Sequence, residues 1–445
     1  MNKQESDHQG AERDIGRQIY QLMAELFPIC RSITGNGFRQ TMEILRRTIP
    51  LELSEVPSGT RVFDWTVPDE WNIRGAHIKN ARGETIVDFK DSNLHVLNYS
   101  VPVRTVIPLD ELKKHLFTLP EHPDWIPYRT SYYRPAWGFC LSHRRYAALE
   151  DGDYEVLIDS TLAAGSLTFG EVLLRGELED EILISAHSCH PSLANDNLSG
   201  VAVATMLARQ VGSAPHRYTY RFLFIPGTIG AITWLALHEE GLARIKHGLV
   251  VTGVGDEGAI TYKKSRRGGA DIDRAACHVL KHAGQAGRVL DFSPYGYDER
   301  QYCSPAFNLP VGRLSRTPFG EYPEYHTSAD NMEFVKPHCL AESYSVIRSI
   351  LDILENDGSY VSRNQKCEPQ LGRRGLYTAP GRDEIALLWV LNMSDGGHSL
   401  LDIAERSGLD FPSIARAAQK LAKADLLIDS TPGAFDHPSG PRSAK

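Results

Sequence analysis

The chain has 445 residues, 42% hydrophobic and 23% charged, with 48 Lys plus Arg against 56 Asp plus Glu and a formal net charge of -8. At roughly 150 residues per domain this is about three domains of ordinary globular protein, and no stretch approaches the ~18 apolar residues that a membrane helix requires. The composition excludes a disordered chain and a membrane protein, and the acidic balance argues against a protein that grips nucleic-acid phosphates with many cations.

The N-terminal stretch is polar and mixed in charge, without the basic-then-apolar pattern of a secretory signal. The seven cysteines, at 30, 140, 189, 277, 303, 339 and 367, are scattered and never form Cys-x-x-Cys. They read as reduced thiols, and the expected location is the cytoplasm.

Taken in chain order, residues 14–48 carry apolar side chains at helical spacing (Ile19, Leu22, Met23, Leu26, then Met42 and Leu45) around a loop, Arg31-Ser-Ile-Thr-Gly-Asn-Gly37. Two helices are expected. Residues 51–137 change to short β-rich runs broken by Pro and Gly, which predicts a small β-rich module. Its aromatics Trp65, Trp71, Tyr99, Trp125, Tyr132 and Tyr133 are expected mainly in its core, with some walling a cleft at the domain junction.

Between about 137 and 357, strand-like runs at 182–186, 220–225, 248–252 and 309–314 alternate with helical patterns at 197–211, 231–245, 271–286 and 337–355. This alternation predicts an α/β sandwich with a mostly parallel central sheet whose ligands bind at the carboxyl ends of strands. From about 373, a helix over 383–392, a capping-box start at Ser399-Leu-Leu-Asp402, a stop at Gly408, Pro412 in the first turn of a further helix and Leu427-Ile-Asp together predict a winged helix-turn-helix, with the last ten residues loose. Residues 371–445 hold nine Lys plus Arg and nine Asp plus Glu, a neutral module. Arg416, Lys420 and Lys423 on its second helix make a thin phosphate footprint, so a protein-contact or dimerisation role is favoured over DNA.

The most informative segment is Ile184-Ser-Ala-His187-Ser-Cys-His190-Pro-Ser-Leu-Ala-Asn-Asp196-Asn-Leu-Ser-Gly200, between an apolar strand and an apolar helix. It puts two imidazoles and a carboxylate at a strand's carboxyl end, the donor types of a catalytic zinc, and a carboxylate can bridge two metals about 3.5–4 Å apart. A third histidine follows another strand-like run, in Tyr322-Pro-Glu-Tyr-His326-Thr-Ser-Ala-Asp330. Lys263-Lys-Ser-Arg-Arg267 reads as a solvated turn, Cys189 as a packing residue, and Ser160 and Ser199 lie in no Gly-x-Ser-x-Gly elbow.

With these residues the chain resembles the co-catalytic zinc aminopeptidases typified by bacterial leucyl aminopeptidases and related carboxypeptidases. Almost end to end it resembles a bacterial group of aminopeptidase-like proteins linked to polysaccharide or secondary-metabolite gene clusters, through Arg31-Ser-Ile-Thr-Gly-Asn-Gly37, Val56-Pro-Ser-Gly-Thr60, Phe63-Asp-Trp-Thr-Val-Pro68 and Trp137-Gly-Phe-Cys140. The resemblance implies a discontinuous peptidase-like domain (1–50 and 131–365), an inserted β-rich domain (51–130) and a winged helix (371–435). It implies that His187 binds one metal, Asp196 bridges two and His326 binds the other, with Asp256 the nearest candidate for a further carboxylate. Tyr325, Asp298, Glu299 and Arg300 fall on the substrate side.

Two departures from that pattern stand out. The usual His-x-Asp is here His187-Ser-Cys189 followed by His190, which leaves His190 as a ligand or a substrate contact. The group usually reads Pro-Glu-Thr-Ile-Gly where this chain has Pro226-Gly227-Thr228-Ile-Gly230, so Gly227 stands where the general base is expected. Losing a base typically removes about 10²–10⁴ in rate. The chain is then impaired, or a substituted form, or has recruited another carboxylate such as Glu257, Glu299 or Glu324. The expectation is a hydrolase with one or two Zn2+ acting on a peptide, aminoacyl or related amide in a biosynthetic pathway, with homo-oligomers formed through the winged helix or the insert. A silent binding or scaffold protein, and more remotely a metabolite-sensing regulator, are the alternatives.

Overall fold

In the computed structural model the described residues are 3–283, 287–376 and 382–430. The close of the helix expected over 271–286, the end of the winged helix beyond 430 and the expected loose tail lie outside them.

The strands Glu181–His187 and Thr219–Ile225 are buried along their whole length, which is why they read as nearly continuous apolar runs. They pair in parallel with each other, and Glu181–His187 pairs in parallel with Ile245–Val251, which in turn pairs with Val311–Ser315. The sheet has eight strands, in the order Glu52–Pro57, Ser166–Leu174, Thr219–Ile225, Glu181–His187, Ile245–Val251, Val311–Ser315, Thr261–Lys263, Arg288–Leu290. Antiparallel pairing joins the first three strands and also Val311–Ser315 to Thr261–Lys263, so the sheet is mixed, with a parallel centre. Buried Arg221 on its third strand is paired, donating to Glu181 (2.6 Å) and to Glu171.

Helix Gly200–Val211 packs on the parallel centre and against the N-terminal helix Lys3–Leu26, whose Ile19, Met23 and Leu26 are fully buried. The helix expected over 231–245 is shorter: an α-helix covers Ile229–Leu237 and a 3-10 turn follows at Glu239–Arg244.

The β-rich insert differs in extent from the sequence expectation. Glu52–Pro57 belongs to the large sheet, whereas the small antiparallel sheet consists of Thr85–Asp88, Glu70–Asn80, Asp153–Ala163 and Val103–Pro108, reaching well past residue 130. Alternating Tyr154, Val156 and Ile158 face a separate core with Ala76, Ile78, Val87 and Phe139. Trp71 and Tyr99 are buried and stacked, while Trp65 and Tyr133 are exposed and pack edge to face.

A second compact unit comprises, among the described residues, 271–283, 346–376 and 382–430. Its sheet begins at Ser359–Ser362, upstream of 371, and this strand lies between Asp395–Ser399 and Leu427–Asp429. The helices are Arg382–Met393, Leu400–Ser407 and Phe411–Lys423. Ser399 and Asp402 form a reciprocal capping box, left-handed Gly408 ends the first short helix, and Asp410 caps the next. On that last helix Lys420 is already paired with Asp383 (3.3 Å).

Candidate metal centre

His187 is the last residue of strand Glu181–His187, His190 lies in the loop that follows, and Asp196 lies in the irregular turn Ala194–Ser199 before helix Gly200–Val211. Side chains of the Asn-Asp-Asn-x-Ser-Gly run fasten this turn. Asn197 donates to the carbonyls of His187 (3.2 Å) and Val251 (3.1 Å), and its oxygen accepts from the Gly200 and Gly253 amides. Asn195 accepts from the Gly255 amide (2.8 Å), and Ser199 donates to the Asn195 carbonyl (2.7 Å). Gly200 is obligatory, because a Cβ there would lie 2.4 Å from the Val251 carbonyl oxygen and 2.3 Å from Asn197 Oδ1. Asp330 arrives from the second motif and accepts the Asn195 (2.6 Å) and Asp196 (2.9 Å) amides.

His326 sits in a left-handed conformation (φ 56), its carbonyl accepting the Tyr128 amide at 2.7 Å. From there Nε2 points at Asp196 Oδ2, 3.0 Å away. His187 Nε2 meets the other oxygen, Oδ1, at 2.9 Å, and His190 Nδ1 lies 4.0 Å from Oδ2. Asp196 and His187 are buried. Burial works against the Asp196 anion, but the neighbouring His190, His187 and His326 hold its pKa well below the usual carboxylate range. Burial also pulls His190 down to about 3, which keeps its ring neutral, the form that binds a metal.

These residues fit zinc on two grounds. His190 Nδ1, Asp196 Oδ2 and His326 Nε2 are all buried and make no hydrogen bond, although they converge. Donors about 2 Å from a tetrahedral ion lie ~3.3 Å from one another, and the separations of 2.9, 3.0 and 4.0 Å bracket that value.

The other expected residues are placed differently. Asp256 is outside the group: its carboxylate accepts from Asn195 (2.9 Å), the Gly258 amide (2.8 Å) and Thr317 (2.6 Å), and it braces the turn. Glu257 is exposed and Glu324 half-buried, and both line a cavity of about 500 Å³ that includes none of the four converging residues. Glu299 is fully buried and bound to Lys263 (2.9 Å), so Lys263 belongs to the interior and not to a solvated turn. Arg300 is half-buried. Gly227 does lie at the centre, since a Cβ there would be 3.0 Å from His187 Cβ and 3.6 Å from Asp298 Oδ1. Burial pushes Asp298 up to about 7, against the nearby His187. Cys189 is buried beneath the Gly227 carbonyl (3.8 Å) and its thiol is pushed up to about 12, an inert packing residue.

Aromatic rings enclose the histidines. Tyr325 stacks on His326 (3.9 Å), Tyr297 stacks on His187 (4.9 Å), and Tyr128 meets His190 and His326 edge-on. Arg31, fully buried, donates to the His190 carbonyl (2.8 Å) and the Leu26 carbonyl (2.7 Å), tying the His190 loop to the first helix. The contacts of Tyr128 and Tyr297 with the histidines, and of Arg31 with His190, carry no local sequence signal, because each is made to a residue far away in the chain.

Residues 20–357 match the protein family described as "Domain of unknown function (DUF4910)", and residues 359–429 match a winged helix-turn-helix family. A Clostridium acetobutylicum relative described as "Putative polysaccharide biosynthesis protein with aminopeptidase-like domain" is 53% identical over 420 residues, 93% of this chain and 96% of the relative. A crystal structure of a "putative peptidase" from the same organism is 52% identical, with a TM-score of 0.92 over 95% of this chain and 99% of that one. The zinc aminopeptidase BSAP of Bacillus subtilis has the same fold at 13% identity, with a TM-score of 0.55 over 76% of this chain and 94% of that one.

Proposed function

The chain belongs to the DUF4910 family, with an aminopeptidase-like fold and a C-terminal winged helix, and on that premise we propose that it is a zinc-dependent hydrolase cleaving an amide bond next to a free amine. The observation that carries this reading is the convergence of His187, His190, Asp196 and His326 with three buried donor atoms left without hydrogen bonds. These four residues would hold one or two Zn2+. When bound, such an ion is a Lewis acid that polarises a carbonyl and acidifies water.

The protein's own residues supply positioning and exclusion of water. Asn195, Asn197, Ser199 and Asp330 fix Asp196 through backbone amides and carbonyls, so the donors are preorganised before any ligand arrives. Tyr325 and Tyr297 wall the histidines with their ring faces and Tyr128 packs against them edge-on, which suits a small peptide or aminoacyl amide. The relative's name points to polysaccharide biosynthesis, and we place this chain in a cytoplasmic biosynthetic pathway of that kind, with its neutral winged helix serving protein contact, including self-association.

The test is elemental analysis of the purified protein together with a panel of aminoacyl amides and p-nitroanilides. Zinc at one or more per chain and hydrolysis abolished by His187→Ala are expected. Absence of zinc, with no effect of His187→Ala or His326→Ala on stability, overturns the reading. A second reading, a catalytically silent binding protein, is favoured by Gly227, which offers no proton acceptor. It predicts zinc without turnover of any panel member.

A further inference from the structure

We propose that Asp298 is the proton acceptor of this centre, doing from another part of the chain what Gly227 cannot. The proposal rests on the hydrolase reading above and names the residue that reading lacks.

The buried carboxylates around the histidines can be separated by what their oxygens already do. Asp196 faces His187 and His326, and Asp330 holds two backbone amides. Asp256 is saturated by Asn195, Gly258 and Thr317, while Glu299 accepts from Lys263. Asp298 differs from all of them: it is 1% exposed, and neither carboxyl oxygen makes a hydrogen bond. A buried carboxylate without donors is costly unless a ligand or water completes it.

Its position supplies the second argument. The point where a side chain at residue 227 would start is 3.6 Å from Asp298 Oδ1 and 3.0 Å from His187 Cβ. The Asp298 carboxylate therefore borders the same space, beside His187, that a side chain at 227 would enter. Asp298 Oδ1 is the carboxylate oxygen nearest to that point. Glu257 and Glu324 line a cavity that includes neither His187 nor Asp298 and do not compete for the role.

In the step proposed, Asp298 takes a proton from the attacking water as the water oxygen bonds to the substrate carbonyl carbon. The C–N bond then breaks, and the same carboxyl returns the proton to the departing amine nitrogen. One water is consumed per amide, and Asp298 ends as it began.

The experiment compares the zinc-loaded full chain with Asp298→Asn, Asp298→Glu and the double variant Gly227→Glu/Asp298→Asn. It measures zinc content, melting temperature, affinity for leucine hydroxamate (which shares a proton with a base on binding) and kcat on the aminoacyl panel. Asp298→Asn should keep its zinc and melting temperature, weaken hydroxamate binding at least tenfold and lower kcat by about 10²–10⁴. Asp298→Glu or the double variant should recover both, which a merely structural role would not allow. Unchanged hydroxamate affinity in Asp298→Asn overturns the proposal. So do loss of zinc in that variant, failure of both rescues, and a wild-type chain that does not bind the hydroxamate. A wild-type chain that binds the hydroxamate but hydrolyses no panel member counts against the hydrolase reading alone.

Discussion

His326 Nε2 lies 3.0 Å from Asp196 Oδ2, yet neither atom makes a hydrogen bond. Two polar atoms brought this close in a buried site without bonding are arranged for a third partner. Zinc should therefore raise the stability of the fold, and His326→Ala should remove most of that gain. At a free zinc concentration a hundredfold above Kd, the gain is about 2.7 kcal/mol. Thermal melts of wild type and His326→Ala, with zinc and with chelator, read it directly; equal zinc shifts in both would show that His326 holds no metal.

Gly200 tests the turn that carries Asp196. Because a Cβ there meets backbone oxygen at 2.4 Å, Gly200→Ala must push the turn away from Val251. Overpacking of this kind costs roughly 1–3 kcal/mol, and displacing Asp196 should also weaken zinc binding. Urea denaturation and a zinc titration measure the two effects; a variant that keeps both would show that the turn yields freely.

The second unit carries a pH-dependent element. His278 Nε2 accepts the Phe411 amide at 3.0 Å, and burial, then the neighbouring His282, pulls its pKa down to about 4, against the opposing charges of Glu405 and Asp410. An unfolded histidine titrates near 6.5. Between those values the unfolded chain binds the extra proton, so this contribution is fully present above about pH 6.5 and is lost as pH falls towards 4. His278→Gln keeps an acceptor and removes the titration, and its melting temperature should fall less than that of wild type between pH 6.5 and 4.5.

The winged helix should show no sequence-selective DNA binding. Its net charge is zero over residues 371–445, and Lys420 is engaged by Asp383. Anisotropy titrations with random and promoter-like duplexes should give weak binding that vanishes between 50 and 200 mM salt, the signature of a few phosphate contacts at about ten per cent short of one released ion each. Tight, salt-resistant binding to one sequence would support a regulator instead.

The sequence by itself determined what depends on near neighbours. The buried strands ending at His187, the Asn195-Asp196-Asn197 turn closed by Gly200, and the Ser399–Asp402 capping box are all set by residues within a few positions of one another, and each is legible as a pattern. Tertiary structure decided what depends on distant pairing. Glu52–Pro57 joins the large sheet and Asp153–Ala163 the small one because of strand partners that no local periodicity specifies. For the same reason Asp256 became a brace, while Tyr128, Tyr297 and Arg31 became part of the centre. The free oxygens of Asp298 beside Gly227 arise only when two segments about seventy residues apart are folded together, since a carboxylate's role is set by the donors that the fold brings to it or withholds.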